Sequence, residues 1–123
     1  MANVESNLAL VERWADYYNN DATRMVQECY APTCKVYSMG MGVIEGQAGL
    51  QKVGDAVLAK APRRYMEVVS RHAAGDVVCV EALLRDHDRG ADWSVPFIAV
   101  LTIRDGRVIT DRTYADWSKW PGL

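Results

Sequence analysis

The apolar positions change their period along the chain, from helical spacing in the first third to alternation in the second half. Leu8, Val11, Trp14, Ala15 and Tyr18 recur at helical spacing with Glu5, Glu12 and Arg13 between them, which predicts an amphipathic helix over Val4 to Asn19. A polar cap near Asn3 starts it and Asn19-Asn20 stops it. Asp21 can cap a second helix running to Glu28 or Tyr30, which Pro32 prevents from continuing. Thr33 to Met39 is strand-like, with Val36 and Ser38 on one face and Lys35 and Tyr37 on the other. The glycine-spaced stretch MGMGVIEGQAG implies tight turns or close backbone approach. A third helix, Ala48 to Lys60, ends before Pro62.

The rest of the chain reads as two hairpins. Arg64 to Ala73 and Val77 to Asp86 flank Ala74-Gly75-Asp76, and Val95 to Ile103 and Val108 to Trp117 flank Asp105-Gly106. The order ααβαββββ, helices first and consecutive antiparallel strands last, makes this an α+β domain in which a curved sheet wraps helices. Alternation assigns the faces. Val78, Val80, Ala82 and Leu84 should line the interior, with Met66, Val68 and Ser70 beside them, while Glu67, Arg71, Glu81 and Arg85 face outward with Val69 and Leu83. That half-apolar outer face is either a dimer surface, the expected partner being a second copy of the chain, or a solvated sheet.

One carboxylate in the last hairpin falls on an apolar wall. Val95, Phe97, Ala99, Leu101 and Ile103 share the apolar face of their strand. If a three-residue loop Arg104-Asp105-Gly106 closes the hairpin, Ile109, Asp111, Thr113 and Ala115 lie opposite them. Asp111 then stands across from Ala99. A one-residue shift puts it outside, where Arg107, Arg112 or a turn amide would pair with it. Glu81 takes its place as the inward acid only in the other register of its own strand.

Composition narrows the function. At 123 residues the chain is expected to be a single domain spanning 1–123. A net charge of −2 without a basic stripe argues against nucleic acid. The apolar runs are far short of a membrane span and MANVESN lacks the features of a signal peptide, so a soluble cytoplasmic protein is expected. Cys29, Cys34 and Cys79 have no CxxC spacing and suit free thiols. His72 and His87 have no partnering motif, so no metal is expected; His72 ends a strand beside a turn and His87 sits in the loop DHDRG. No dinucleotide fingerprint, P-loop or serine-hydrolase elbow occurs.

WADYYNNDATRMVQECYAPTCKVYS (Trp14 to Ser38), IEGQAGLQ (Ile44 to Gln51), AAGDVV (Ala73 to Val78) and RDGRVITDRTYADW (Arg104 to Trp117), in this order of elements, resemble the nuclear transport factor two superfamily. Ketosteroid isomerases, scytalone dehydratase, limonene epoxide hydrolase and SnoaL-like polyketide cyclases belong to it. The resemblance covers nearly the whole chain. It implies a cone-shaped fold, three N-terminal helices packed in the concavity of a strongly bent, mixed, mostly antiparallel sheet, around one deep pocket for a small apolar molecule. The catalytic positions do not carry over as a set. By ungapped reading the isomerase base falls on Ser38, the oxyanion-binding acid on Ala99 and the tyrosine near Trp14. The epoxide hydrolase row falls on Val80, Ala82 and Thr113, which makes that activity improbable. Similarity to scytalone dehydratase places its active tyrosine on Tyr18, its neighbouring aspartate on Asn19 and its second tyrosine on Ser38.

These readings converge on proton transfer at or near a carbonyl, of isomerase, dehydratase or cyclase type, without a cofactor. Asp111, desolvated beside the position where isomerase-like members keep their acid, is the expected proton carrier. Tyr18 shares the same substrate oxygen, or is a core aromatic whose hydroxyl reaches a backbone carbonyl. Trp14, Ser38, Asn19, Trp93 and Phe97 are the expected substrate contacts; packing is the alternative for Trp14, Trp93 and Phe97, and a satisfied strand hydroxyl the alternative for Ser38. Asp116 has outward parity and should bond nearby backbone. The rival is a non-catalytic ligand-binding or dimerisation domain.

Overall fold

A computed structural model describes residues 3–123. Its first helix, α1 (Val4–Asn20), buries Asn7, Leu10, Val11 and Trp14, positions spaced three and four apart that make one stripe. The Asn3 side chain caps it by accepting from the Ser6 amide at 3.0 Å. Asp21 does the same for α2 (Ala22–Cys29), accepting from the Arg24 amide at 3.1 Å. The chain then turns directly into β1 (Tyr30–Ser38), so Tyr30 opens a strand; it does not close the helix. The glycine-spaced stretch, expected to hold turns, also contains a short strand, β2 (Gly42–Glu45), antiparallel to β1 and leading into α3 (Gly46–Lys60).

Two antiparallel hairpins follow, β3 (Arg64–Ala74) with β4 (Val77–Asp86), and β5 (Val95–Arg104) with β6 (Arg107–Ala115). The six strands form one open sheet in the order β2-β1-β6-β5-β4-β3. Only β1 and β6 run parallel, which brings the last strand into the middle of the sheet beside the first. The helices pack against one face of this sheet, α1 on β3 and α2 and α3 on β1, giving the α+β cone. Val78, Val80, Ala82 and Leu84 are all buried, as alternation requires, and the core runs on through Val95, Ala99 and Leu101. Burying each of the larger of these side chains contributes about 1.5–3 kcal/mol.

Two bulges change the face assignments. In β3 the register slips between Val68 and Ser70, so Ser70 pairs with Glu81 and donates to its carboxylate at 2.9 Å on the outer face, whereas inward placement was expected; Arg71 now stands opposite Val80. In the last hairpin the loop has two residues where three were expected. Asp105 and Gly106 both have positive φ, 53° and 76°, the geometry a tight Asp-Gly hairpin turn demands. A regular ladder from that turn would carry Thr110 and Arg112 inward and Asp111 outward. Instead the register slips after Ile103↔Val108, leaving Ile109 as the extra residue, and Asp111 pairs with Leu101, two residues along from the Ala99 expected. The slip keeps Arg112 off the core and turns Asp111 into it.

Candidate functional site

Asp111 lies in the inward row between Val36 of β1 and Leu101 of β5, with 4% of its surface exposed. No arginine pairs with it among the described residues. Its partners are two hydroxyls: Tyr30 donates to Oδ2 at 2.8 Å, and Thr113, two residues along the same strand, donates to Oδ1 at 2.6 Å. Trp14 Nε1 in turn donates to the Tyr30 oxygen at 3.0 Å. An indole nitrogen can only donate, so the Tyr30 oxygen is the acceptor there and its single hydrogen is committed to Asp111 Oδ2. The Thr113 hydroxyl has no such constraint. It can donate to a carboxylate or rotate and accept from a carboxylic acid, which makes Oδ1 the oxygen able to take and give a proton.

Burial pushes the Asp111 carboxyl above the ordinary carboxylate range, while the hydrogen bonds from Thr113 and Tyr30 pull the other way. Burial and the neighbouring Asp111 charge push Tyr30 well above the usual phenol value, so it remains a protonated donor. Burial raises the Cys34 thiol, and Asp111 raises it further.

This cluster stands on the wall of a cavity of about 120 Å³ between the helices and the sheet. An engineered cavity of about 150 Å³ admits benzene, so the space is of the size of a small ring. Trp14, Ser38 and Phe97 line it, as does Tyr18, so four of the expected wall residues meet Asp111 around one hollow. Asn19 and Trp93 are not on this wall. Asn19 clamps the start of β3 to α1, accepting from the Met66 amide at 2.6 Å and donating to the Met66 carbonyl at 3.0 Å. Trp93 packs in the loop before β5 under the Arg89 guanidinium, 5.1 Å from its ring centre. Glu81 and His72 are exposed, and His87 stacks on Tyr65 at 4.4 Å, so none of the three enters the cavity. Asp116 is exposed and caps the closing turn, Trp117–Lys119, through the Ser118 amide.

Several wall residues were not anticipated, and three of them bring polar or aromatic groups to the cavity. Tyr30 was hidden by its position at a helix-to-strand junction. Trp120 comes from the C-terminal turn and meets Phe97 edge-on at 5.3 Å. Arg64 opens β3 with the same parity as Met66 and is 6% exposed, so alternation alone would have turned it inward. Its guanidinium lies 4.2 Å from the centre of the Tyr18 ring. Burial raises the Tyr18 phenol, against the opposing pull of that positive charge.

A SnoaL-like domain model matches residues 11–110, most of the chain and every element that builds the cavity except the end of β6 and the C-terminal turn. The chain belongs to the SnoaL-like family. No curated protein matches this family member. Solved structures share its fold at low identity. A provisionally assigned SnoaL-like polyketide cyclase from Jannaschia sp. CCS1 superposes with a TM-score of 0.82 at 21% identity, covering 96% of this chain and 91% of the other. IdmH from Streptomyces antibioticus, provisionally assigned as a polyketide cyclase, gives 0.79 at 16% identity over 93% and 94% of the two chains. A protein from Catenulispora acidiphila with a ketosteroid isomerase-like fold, in complex with trimethylamine, gives 0.77 at 20% identity over 90% and 88%. No helix among the described residues is long and apolar enough to cross a membrane, and no group of three or more His, Cys, Asp or Glu among them could hold a metal ion.

Proposed function

We propose that this SnoaL-like protein is a small-molecule enzyme that moves a proton at a carbonyl or hydroxyl carbon of an apolar substrate, in a reaction of isomerase, dehydratase or cyclase type that calls on no cofactor. The observation that carries this reading is a desolvated carboxyl, held by two hydroxyls and, among the described residues, by no cation, on the wall of an apolar cavity. A carboxyl whose affinity for protons is raised by burial works as general base or general acid nearer neutral pH than an exposed one. Asp111 Oδ1 carries the proton, Thr113 follows its protonation state by rotating, and Trp14 with Tyr30 fixes the other oxygen. Tyr18 is the proposed donor to the substrate oxygen, and Trp14, Ser38 and Phe97 hold the apolar body. Family membership and the polyketide cyclase and isomerase assignments of fold relatives are consistent with this class of chemistry.

The test is a thermal-shift screen of small carbonyl and hydroxyl compounds, with hits followed by mass for conversion. Asp111→Asn is expected to lower turnover of a converted hit by about 10²–10⁴-fold. Unchanged turnover removes Asp111 from the chemistry and leaves a ligand-binding domain. A second copy of the chain is the proposed partner, seated on the outer sheet face where Ile98 and Tyr114 stand opposite one another, both exposed. Sedimentation should then show a dimer that Tyr114→Lys dissociates.

A further inference from the structure

Arg64 is a buried cation without an anion. Among the described residues no salt bridge involves its guanidinium; the Tyr18 phenol is its one side-chain hydrogen-bonding neighbour, and Nε is fully buried with no acceptor. Its cross-strand partner Asp86 is buried too, yet that carboxylate is already engaged, by Arg89 Nε at 3.0 Å and the Asp88 amide at 2.9 Å. The Tyr18 ring beneath the guanidinium offers a π face, which attracts the charge but accepts no in-plane N–H. A buried N–H left this way is costly unless something completes it. Arg64 lines the same cavity as Asp111, whose wall also carries Met25, Leu50, Val57 and Met66, and it borders a second, more polar recess with Asn19, Asp21, Gln51 and Asp55.

We infer that the cavity takes an apolar molecule bearing an anionic oxygen, such as a carboxylate, phenolate or enolate, and that the Arg64 guanidinium binds that oxygen. This deepens the reading of the cavity as a small-molecule site and rests on it, but not on the role of Asp111. The two poles then divide the work. Arg64, at the start of β3, anchors negative charge by a charge-assisted hydrogen bond, and Asp111, in the middle of the sheet, faces the part of the ligand that must be neutral or positive.

Matched pairs of probes test this at equilibrium, without turnover: benzoate against benzamide, and hexanoate against hexanamide, by calorimetry and by quenching of tryptophan fluorescence. Each acid is expected to bind at least tenfold more tightly than its amide, and Arg64→Gln to bring the ratio close to one. Equal binding of acid and amide by the unaltered protein overturns the inference while leaving the cavity a ligand site. Binding of neither compound overturns both. Preference for the acid that survives in Arg64→Gln also overturns it. Should that variant fail to fold, para-nitrophenol read on the unaltered protein decides: its phenolate absorption should persist to lower pH when bound than when free. A bound phenol whose titration is unmoved or shifted upward refutes the role of Arg64.

Discussion

Tyr30→Phe removes one oxygen atom and disturbs two hydrogen bonds at once. Trp14 Nε1 loses its acceptor, and Asp111 loses the donor to Oδ2. Trp14 is buried, so its orphaned N–H costs about 1–3 kcal/mol at any pH. The bond to Asp111 is worth about 1.5–3 kcal/mol when the carboxyl is charged, against about 0.5–1.5 kcal/mol when it is neutral. The pH dependence follows from linkage. Burial raises the Asp111 carboxyl above its unfolded value of about 3.9, so the folded state holds that proton to higher pH than the unfolded chain, and stability falls as pH rises through the interval between the two. Tyr30 bonds the charged form and limits that interval; without it the interval extends upward. The variant should therefore be about 1–3 kcal/mol less stable than the parent near pH 4, with the deficit growing as pH rises. In a chain of this length that is about 3–6 °C of midpoint temperature for each kcal/mol. Urea denaturation followed by tryptophan fluorescence at a series of pH values measures it. A deficit that does not change with pH would refute the charge coupling between Tyr30 and Asp111, and no deficit at all would refute the Trp14–Tyr30–Asp111 relay.

Asp111→Asn replaces a desolvated charge by an amide that can still meet Tyr30 and Thr113, so thermal denaturation near neutral pH should find it as stable as the parent or more so. Thr113→Val removes the hydroxyl that adapts to either protonation state, and should shift the pH profile of turnover upward by leaving the carboxylate less supported, as rate measurements across pH would detect. Gly122→Ala should dislodge the C-terminal turn: a Cβ there would sit 2.6 Å from the Ala56 carbonyl oxygen, at a φ of +82° that disfavours a side chain, costing more than ~1 kcal/mol. Since Trp120 lines the cavity, red-shifted tryptophan emission and faster ligand exchange are its expected signs.

Alternation and capping residues made most of the architecture readable in advance, because α1, α3 and the two hairpins each repeat one period over many residues. What escaped lay where a single residue breaks the period. Val69 and Ile109 each add one position to a strand, and everything beyond changes face; Ser70 moved outward for that reason. Asp111 faces inward by a different route from the one its spacing suggested, a shorter loop offset by a bulge. The bulge is decided by tertiary balance, the cost of burying Arg112 against the partners Tyr30 and Thr113 offer Asp111. Tyr30 is 81 residues from Asp111, and no local pattern couples positions that far apart. Asn19 looked like a pocket residue through its neighbour Tyr18, but one step along a helix turns a side chain by 100°, enough to move it from the cavity to the edge of β3.

Placing β6 in the interior of the sheet also constrains the order in which the sheet can be assembled. Before β6 is in place, β5-β4-β3 can form only a meander whose open edge is β5, and β1 and β2 a separate ribbon. Neither half can close until the final strand slots between them, a long-range step of the kind that folds slowly and leaves strand edges exposed. A chain cut near residue 105 should therefore yield insoluble material in place of a loosened native form.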